Sequence, residues 1–253
     1  LSEVVVRASD TMEDLVRKVR LAVEIGTIQS TMTHFPYLRK IWRDNTEEER
    51  LLGVSLTGIM DNKLTYKPQA EMLEELRRVA VETNRVVAEK IGIKPAAAIT
   101  CVKPSGTVSQ LVDSASGIHA RHSEYYIRTV RGDNKDPITR LMKDQGIPNE
   151  PCAMKPESTT VFSFPVKSPK NSVTRNEMSA LEQLELWLLY QRHWCEHKPS
   201  VTISVRDHEW MEAGSWVYKH FDEVSGISFL PHSDHSYKQA PYQDCTKEDY
   251  NNL

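Results

Sequence analysis

The residues of this 253-residue chain best suited to chemistry lie between Ala98 and Val112. Ala98-Ile99-Thr100-Cys101-Val102 reads as a buried strand, Lys103-Pro104-Ser105-Gly106-Thr107-Val108-Ser109 as a turn, and Gln110-Leu111-Val112 as an apolar continuation able to start a helix. Free backbone N–H groups at a helix start, together with the positive end of its dipole, favour an anion. Ser105, Thr107 and Ser109 add hydroxyl donors, and Gly106 lets the backbone come close, so phosphate is the anion such a turn suits. The same residue types also build an ordinary strand-to-helix turn with a hydroxyl cap. Composition alone leaves both readings open.

Other groups compete less well. His193 and His197 stand four residues apart in a helical run, a spacing that metal sites use, but the Glu196 between them is not at the base position of a zinc-protease motif. Two histidines near a helix C-terminus, favoured by its dipole, are the plainer reading. His232, Asp234 and His235 follow a strand and read as a solvated loop or as part of a pocket at a barrel mouth. Arg121, Arg128 and Arg131 are guanidinium forks that match phosphate oxygens and are equally at home on a surface. Cys101, Cys152, Cys195 and Cys245 are scattered without a CxxC pair, so no zinc ribbon or disulfide framework is expected, and no metal site is assigned.

The elements that position these residues follow from periodicity. Apolar residues at three- and four-residue intervals predict helices over Thr11–Thr31 and from Pro68 to Gly92. Leu51–Met60 and Ala97–Val102 read as strands, and Arg43–Arg50 as a polar connection. Beyond them, strand-like runs at Tyr125–Val130, Thr159–Phe164, Ser200–Val205 and Gly226–Leu230 alternate with helical ones at Pro137–Gln145, Asn176–His197 and Asp207–Val224. Such alternation predicts an α/β fold with a mainly parallel sheet or barrel. The loops Gly146–Ser158 and Lys167–Thr174 read as surface insertions within one domain spanning 1–253. In Tyr125-Tyr126 one ring is expected buried and the other on the opposite face.

With 32 Lys+Arg against 35 Asp+Glu, the net charge of −3 gives no global attraction for nucleic acid or an anionic membrane. No apolar run approaches the roughly 20 residues of a membrane span, and a cytoplasmic protein with reduced thiols is expected. Leu1 opens the chain with a strand already under way at Ser2–Val6, and Thr246-Lys247-Glu248-Asp249 looks like a capping box just before Leu253. Both ends are therefore expected to be cuts in a longer fold.

The run Lys103–Ser109, followed by Ser116-Gly117-Ile118-His119 and by Tyr125-Tyr126-Ile127-Arg128-Thr129-Val130-Arg131, resembles the phosphate-loop region of ribonucleotide reductases. It is most similar to the monomeric adenosylcobalamin-dependent class that acts on ribonucleoside triphosphates. Leu1-Ser2-Glu3-Val4 is similar to the strand segment just after that class's second redox cysteine, and Leu51–Asp61 to its Gly-Val-x-Leu-x-Gly barrel strand. Lys198–Val205, Gly226–Pro231 and Tyr237–Tyr242 resemble later parts of the barrel.

The resemblance implies the later portion of a ribonucleotide-reductase-type α/β barrel, with Ser105, Gly106, Thr107, Val108 and Ser109 holding substrate phosphates. It implies adenosylcobalamin as cofactor, a ribonucleoside triphosphate as substrate, a thioredoxin-like thiol reductant, and a missing N-terminal half of the barrel as partner. The family abstracts the 3′-hydrogen with a thiyl radical, assisted by a grouping Asn-x-Cys-x-Glu that this chain does not contain. Cys195-Glu196 does not match it. No catalytic residue is therefore assigned, and the chain alone is expected to be inactive. A large-subunit fragment of the di-metal-dependent class, or a nucleotide-phosphate-binding module without catalysis, remain the alternatives.

Overall fold

The computed structural model describes residues 1–232 and 238–253. In chain order the elements are β1 (Ser2–Val5), α1 (Met12–Gln29), α2 (Lys40–Glu49), β2 (Val54–Thr57), α3 (Lys63–Tyr66), α4 (Ala70–Ile91), β3 (Thr100–Cys101) and α5 (Val108–Leu111). They continue with β4 (Tyr125–Asp133), α6 (Pro137–Asp144), β5 (Asn149–Pro151), β6 (Thr159–Lys167), α7 (Ala180–His193), β7 (Ser200–Val205), α8 (Trp210–Lys219), β8 (Gly226–Pro231), β9 (Tyr242–Asp244) and α9 (Lys247–Asn252). The chain divides into two compact units, the first comprising Leu1–Ala120, Asn171–Val173 and Glu177–His232, the second the remainder.

The first unit is the parallel α/β structure that strand-helix alternation predicts. β1, β2 and β3 form a parallel sheet in that order, and β7 pairs in parallel with β8. The Ser200 N–H donates to the Val102 carbonyl at 3.0 Å, which sets β7 beside the end of β3. Side chains alternate across these strands. Val4, Val6, Val54, Leu56, Val201, Ile203 and Val205 are buried in one cluster with Leu15, Val19 and Val23 of α1, Leu73 and Leu76 of α4, and Leu184 and Trp187 of α7. The other face carries Glu3, Ser55 and Cys101, which are register partners in a row, and Thr202 beside Ser228, whose hydroxyls lie 2.9 Å apart.

Local chemistry sets the helix boundaries. Thr11 caps α1 in a capping box with Asp14, and Ser179 caps α7 in one with Glu182. That cap starts α7 at Ala180, later than the apolar period suggests, and the helix stops at His193. α8 likewise begins only after a 3-10 turn at Asp207–Glu209 and is shorter than the run Asp207–Val224. The expected strand Leu51–Met60 shrinks to Val54–Thr57, because Gly58 at φ +81° turns the chain sharply. A Cβ there would lie 2.5 Å from the Val6 carbonyl oxygen, so only glycine fits. The polar stretch Arg43–Arg50 lies largely within α2, which buries no residue. Its ion pairs Lys40–Asp44 at 3.3 Å and Arg43–Glu47 at 4.0 Å support a helix that has no buried stripe to betray it.

The second unit departs from the parallel expectation. Its sheet runs β5-β6-β4-β9 with every pair antiparallel, and β4 and β6 match over nine residues from Tyr125↔Lys167 to Asp133↔Thr159. α6 lies inside the β4–β6 connection. A short helix fits an antiparallel return as well as a parallel crossover, so strand-helix-strand order alone does not decide. The Gly146–Ser158 loop contributes β5. Tyr126 is 2% exposed while Tyr125 is half-buried, its ring 5.3 Å from that of Tyr250, as the alternation of the strand requires.

Among the described residues no helix is long and apolar enough to cross a membrane, and the four cysteines are unbridged.

Candidate functional site

The segment Lys103–Ser109 leaves the C-terminal end of β3 and enters α5, at the same end of the sheet where Gly58 leaves β2. The Lys103 N–H donates to Ser55 Oγ at 3.1 Å. Ser105 and Ser109 are 4% and 0% exposed, whereas Gly106, Thr107 and Val108 are exposed. The Ser105 hydroxyl donates to Glu3 Oε2 at 2.9 Å and accepts from the Ser109 N–H at 3.1 Å, and the Ser109 hydroxyl donates to the Ser105 carbonyl. Of the three hydroxyls singled out, Ser109 is spent inside the loop, Ser105 on Glu3 of β1, and Thr107 alone lies exposed. Among the described residues the N–H groups of Gly106, Thr107 and Val108 have no acceptor. A Cβ at Gly106 would meet nothing within 4 Å.

The following segment locks this loop in place. The Ser105 N–H donates to Ser116 Oγ at 2.9 Å, and the Gly117 N–H to Thr57 Oγ1 at 2.9 Å. Gly117, at φ +56°, passes so near Lys103 that a Cβ would sit 2.5 Å from its carbonyl oxygen. The Ala115 N–H donates to Asp61 Oδ2 at 2.8 Å. His119 bridges Ser116 and β7: its Nδ1 lies 3.0 Å from the Ser116 carbonyl, and its Nε2 accepts from the Thr202 N–H at 3.0 Å. Those partners require the neutral tautomer with hydrogen on Nδ1. Burial holds its pKa below the ordinary imidazole value.

The remaining groups are structural. His193 Nδ1 lies 2.8 Å from Glu74 Oε1, while His197 Nε2 lies 2.6 Å from the Leu52 carbonyl. α7 ends at His193, so the two rings do not share a helix face, and no metal-binding cluster occurs among the described residues. Glu196 accepts from the Ile99 N–H at 2.9 Å, and burial pushes the Cys195 thiol well above its ordinary value. Burial likewise pushes Cys101 up to about 11. In the second unit Arg128 and Arg131 donate to the carbonyls of Pro241 and Gln239, both at 3.1 Å, and Arg121, 3% exposed, reaches the Tyr126 hydroxyl at 3.3 Å. These guanidinium groups bind the chain to itself. His232 follows β8, with its N–H on the Val205 carbonyl at 2.8 Å and a buried Nε2 that has no hydrogen-bond partner among the described residues. Asp234, His235 and Tyr237 lie outside the described residues.

No family model matches the chain. Individual proteins do. Over 249 residues it is 30% identical to an adenosylcobalamin-dependent ribonucleoside-triphosphate reductase of Euglena gracilis, a match covering 95% of this chain and 33% of that protein. It is 27% identical over 250 residues to the protein of the same name from Lactobacillus delbrueckii subsp. bulgaricus, covering 87% and 34%. The fold matches the crystal structure of a B12-dependent (class II) ribonucleotide reductase with a TM-score of 0.82 and 25% identity, over 94% of this chain and 37% of that one. The chain is similar in sequence and fold to part of a class II ribonucleotide reductase. It spans about a third of the length of the curated relatives it matches.

Its fold is accordingly a portion of the ribonucleotide-reductase α/β barrel. Against that background the polar strand face gains meaning, and apolar period alone does not reveal it. Ser55 and Thr57 alternate with Val54 and Leu56, and Thr202 and Ser204 with Val201 and Ile203, a period-two pattern of hydroxyls legible in both strands. Nothing in the sequence pairs Glu3 with Ser105, 102 positions away.

Proposed function

We propose that this chain forms the later portion of the catalytic barrel of an adenosylcobalamin-dependent ribonucleoside-triphosphate reductase, residues 1–253 supplying the loop that holds the substrate's phosphates. The observation that carries this reading is the loop itself. Three N–H groups on the exposed residues Gly106, Thr107 and Val108, without an acceptor among the described residues, stand at the C-terminal end of a parallel sheet, in a chain whose relatives act on ribonucleoside triphosphates by name. Ligands of parallel α/β sheets bind at that end.

In this reading the Gly106–Val108 amides and the Thr107 hydroxyl hold the phosphates, while Ser105 and Ser109 shape the turn from within. The hydroxyl row of β2, β7 and β8 presents polar groups on the sheet face opposite the helices. Cys101 shares that face and is not assigned a role in reduction: its thiol is buried and held up at about 11. The described residues do not by themselves fit adenosylcobalamin. Among the described residues one ring nitrogen without a partner, at His232, makes no cradle for a corrin. In the relatives' class the cofactor supplies the radical when bound; it would belong to the assembled reductase, together with a dithiol reductant of thioredoxin type. β1 pairs only with β2 and β8 only with β7 among the described residues, two free parallel edges that suit a partner polypeptide supplying the rest of the barrel.

The test joins this chain to a polypeptide carrying the remaining barrel and assays deoxynucleotide formation with adenosylcobalamin, a ribonucleoside triphosphate and a dithiol. Activity is expected from the pair and not from this chain alone. Thr107→Val, which loses one hydrogen bond to a charged oxygen, and Gly106→Val, whose side chain blocks close approach of the phosphate to the backbone, are each expected to weaken nucleotide binding by at least about tenfold. Unchanged affinity in both, with the fold intact, would reduce the loop to a structural turn.

A further inference from the structure

We infer that Glu3 is a positioning residue for the phosphate loop, acting through Ser105 at one end of a hydrogen-bonded relay that runs Glu3–Ser105–Ser116–His119–Thr202. The inference rests on the phosphate-loop reading above and names what sets that loop's shape. A hydroxyl has one hydrogen to give. Ser105 gives its own to Glu3 Oε2 at 2.9 Å, which turns a lone pair of the same oxygen to the Ser109 N–H at 3.1 Å. The Ser109 amide is thereby held at a buried residue, while the amides of the exposed Gly106, Thr107 and Val108 are left without an acceptor among the described residues.

The relay continues through the backbone of Ser105, whose N–H donates to Ser116 Oγ at 2.9 Å. The Ser116 carbonyl then takes the Nδ1 hydrogen of His119 at 3.0 Å, and His119 Nε2 takes the Thr202 N–H at 3.0 Å. β1 lies on one side of β3 and β7 on the other, so the loop is pinned from both directions.

Glu3 is an unexpected neighbour for a phosphate loop, because a carboxylate repels the anion the loop is built to receive. Its two effects have opposite signs. As an acceptor it orders the loop and favours binding; as a charge it opposes binding. Glutamine keeps the acceptor and loses the charge, whereas alanine loses both. A purely electrostatic Glu3 therefore predicts that both variants tighten binding, and a positioning Glu3 predicts that they diverge.

The experiment titrates the 253-residue chain with inorganic tripolyphosphate by calorimetry at fixed ionic strength, for the parent, Glu3→Ala and Glu3→Gln, and follows amide hydrogen exchange at Ser105 and Ser109. Glu3→Ala is expected to bind about tenfold more weakly and to exchange faster at the Ser109 amide. Glu3→Gln is expected to bind at least as tightly as the parent, with Ser109 protection retained. If Glu3→Ala does not fold, the Gln variant still decides, since binding weaker than the parent would overturn the positioning role. Equal or tighter binding by a folded Glu3→Ala, with unchanged Ser109 exchange, would overturn it too. Absence of saturable tripolyphosphate binding by the parent would sink the phosphate-loop reading and the positioning role with it, a distinct result from a binding parent with indifferent variants.

Discussion

The two units hold their shape by different means. In the first, parallel strands alternate an apolar face, buried against helices in one large cluster, with a polar face of hydroxyls and Glu3. In the second, the buried apolar set among the described residues is small, comprising Tyr126, Cys152, Val161, Phe162 and Ala240. Polar bonds take over much of the work there. The Thr129 N–H and hydroxyl donate to the carbonyls of Pro241 and Ala240, Arg128 and Arg131 to those of Pro241 and Gln239, and Arg128 lies 4.4 Å from the centre of the Tyr242 ring. Hydrophobic burial is non-directional and tolerates local adjustment, whereas a polar strap depends on each donor meeting its acceptor. The first unit should therefore fail globally when its core is cut, and the second locally when a strap bond is cut.

The largest effect expected from that difference is in the first unit. Trp187 is 0% exposed and its indole N–H donates to the Pro199 carbonyl at 3.3 Å. Trp187→Ala should cost about 3–5 kcal/mol, through lost burial, a cavity and an orphaned carbonyl. All five tryptophans, Trp42, Trp187, Trp194, Trp210 and Trp216, belong to this unit. Urea unfolding followed by tryptophan emission thus reports it selectively. A midpoint unchanged from the parent would mean that the apolar cluster is not what holds the parallel sheet together.

In the second unit the corresponding residue is Gln239, 5% exposed and held at φ +60°. Its amide donates to Glu150 Oε1 and to the Pro151 carbonyl, both at 2.8 Å, and accepts from the Ala153 N–H at 2.7 Å. Gln239→Ala should cost about 1–3 kcal/mol, because three hydrogen bonds are lost at once. The loss should show as faster exchange at the Thr129 and Ala153 amides, with tryptophan emission unmoved. Gln239→Gly removes the same bonds but relieves the left-handed backbone, so it should be the milder of the two. If Gly proves as damaging as Ala, the left-handed backbone costs this position nothing; if it restores the parent, relief of that strain offsets the lost side-chain bonds.

The contrast also explains what the sequence could and could not reveal. α1, α4 and β7 were legible because each buries one face, so that apolar residues recur with the element's own period. α2 was not, since it buries nothing. The antiparallel sheet was hidden because its order of elements matches that of a parallel one. In the loop, the residue types of Ser105–Ser109 pointed to an anion, but which hydroxyls remain available depends on Glu3 and Ser116, partners supplied by the fold. Local composition carries no information about which of three equivalent hydroxyls turns inward.

The smallest effect sets the same motif in both units. Ser179 caps α7 and Thr246 caps α9, each accepting from the backbone N–H three residues on while the acid there, Glu182 or Asp249, reaches back. Taken alone, the two caps offer the same local gain. What they are joined to differs. α7 buries seven residues, among them Leu184, Trp187 and Tyr190, so fraying its first turn loosens packing throughout the first unit. α9 is six residues long and buries none. Ser179→Ala should therefore lower the stability read by tryptophan emission by about 1 kcal/mol. Thr246→Ala should leave every cooperative transition where it was and only hasten exchange of the α9 amides. A shift of the second unit's unfolding midpoint on Thr246→Ala, followed through the Tyr126 and Tyr242 resonances, would show that α9 is integral to that sheet and that the second unit does not yield merely locally.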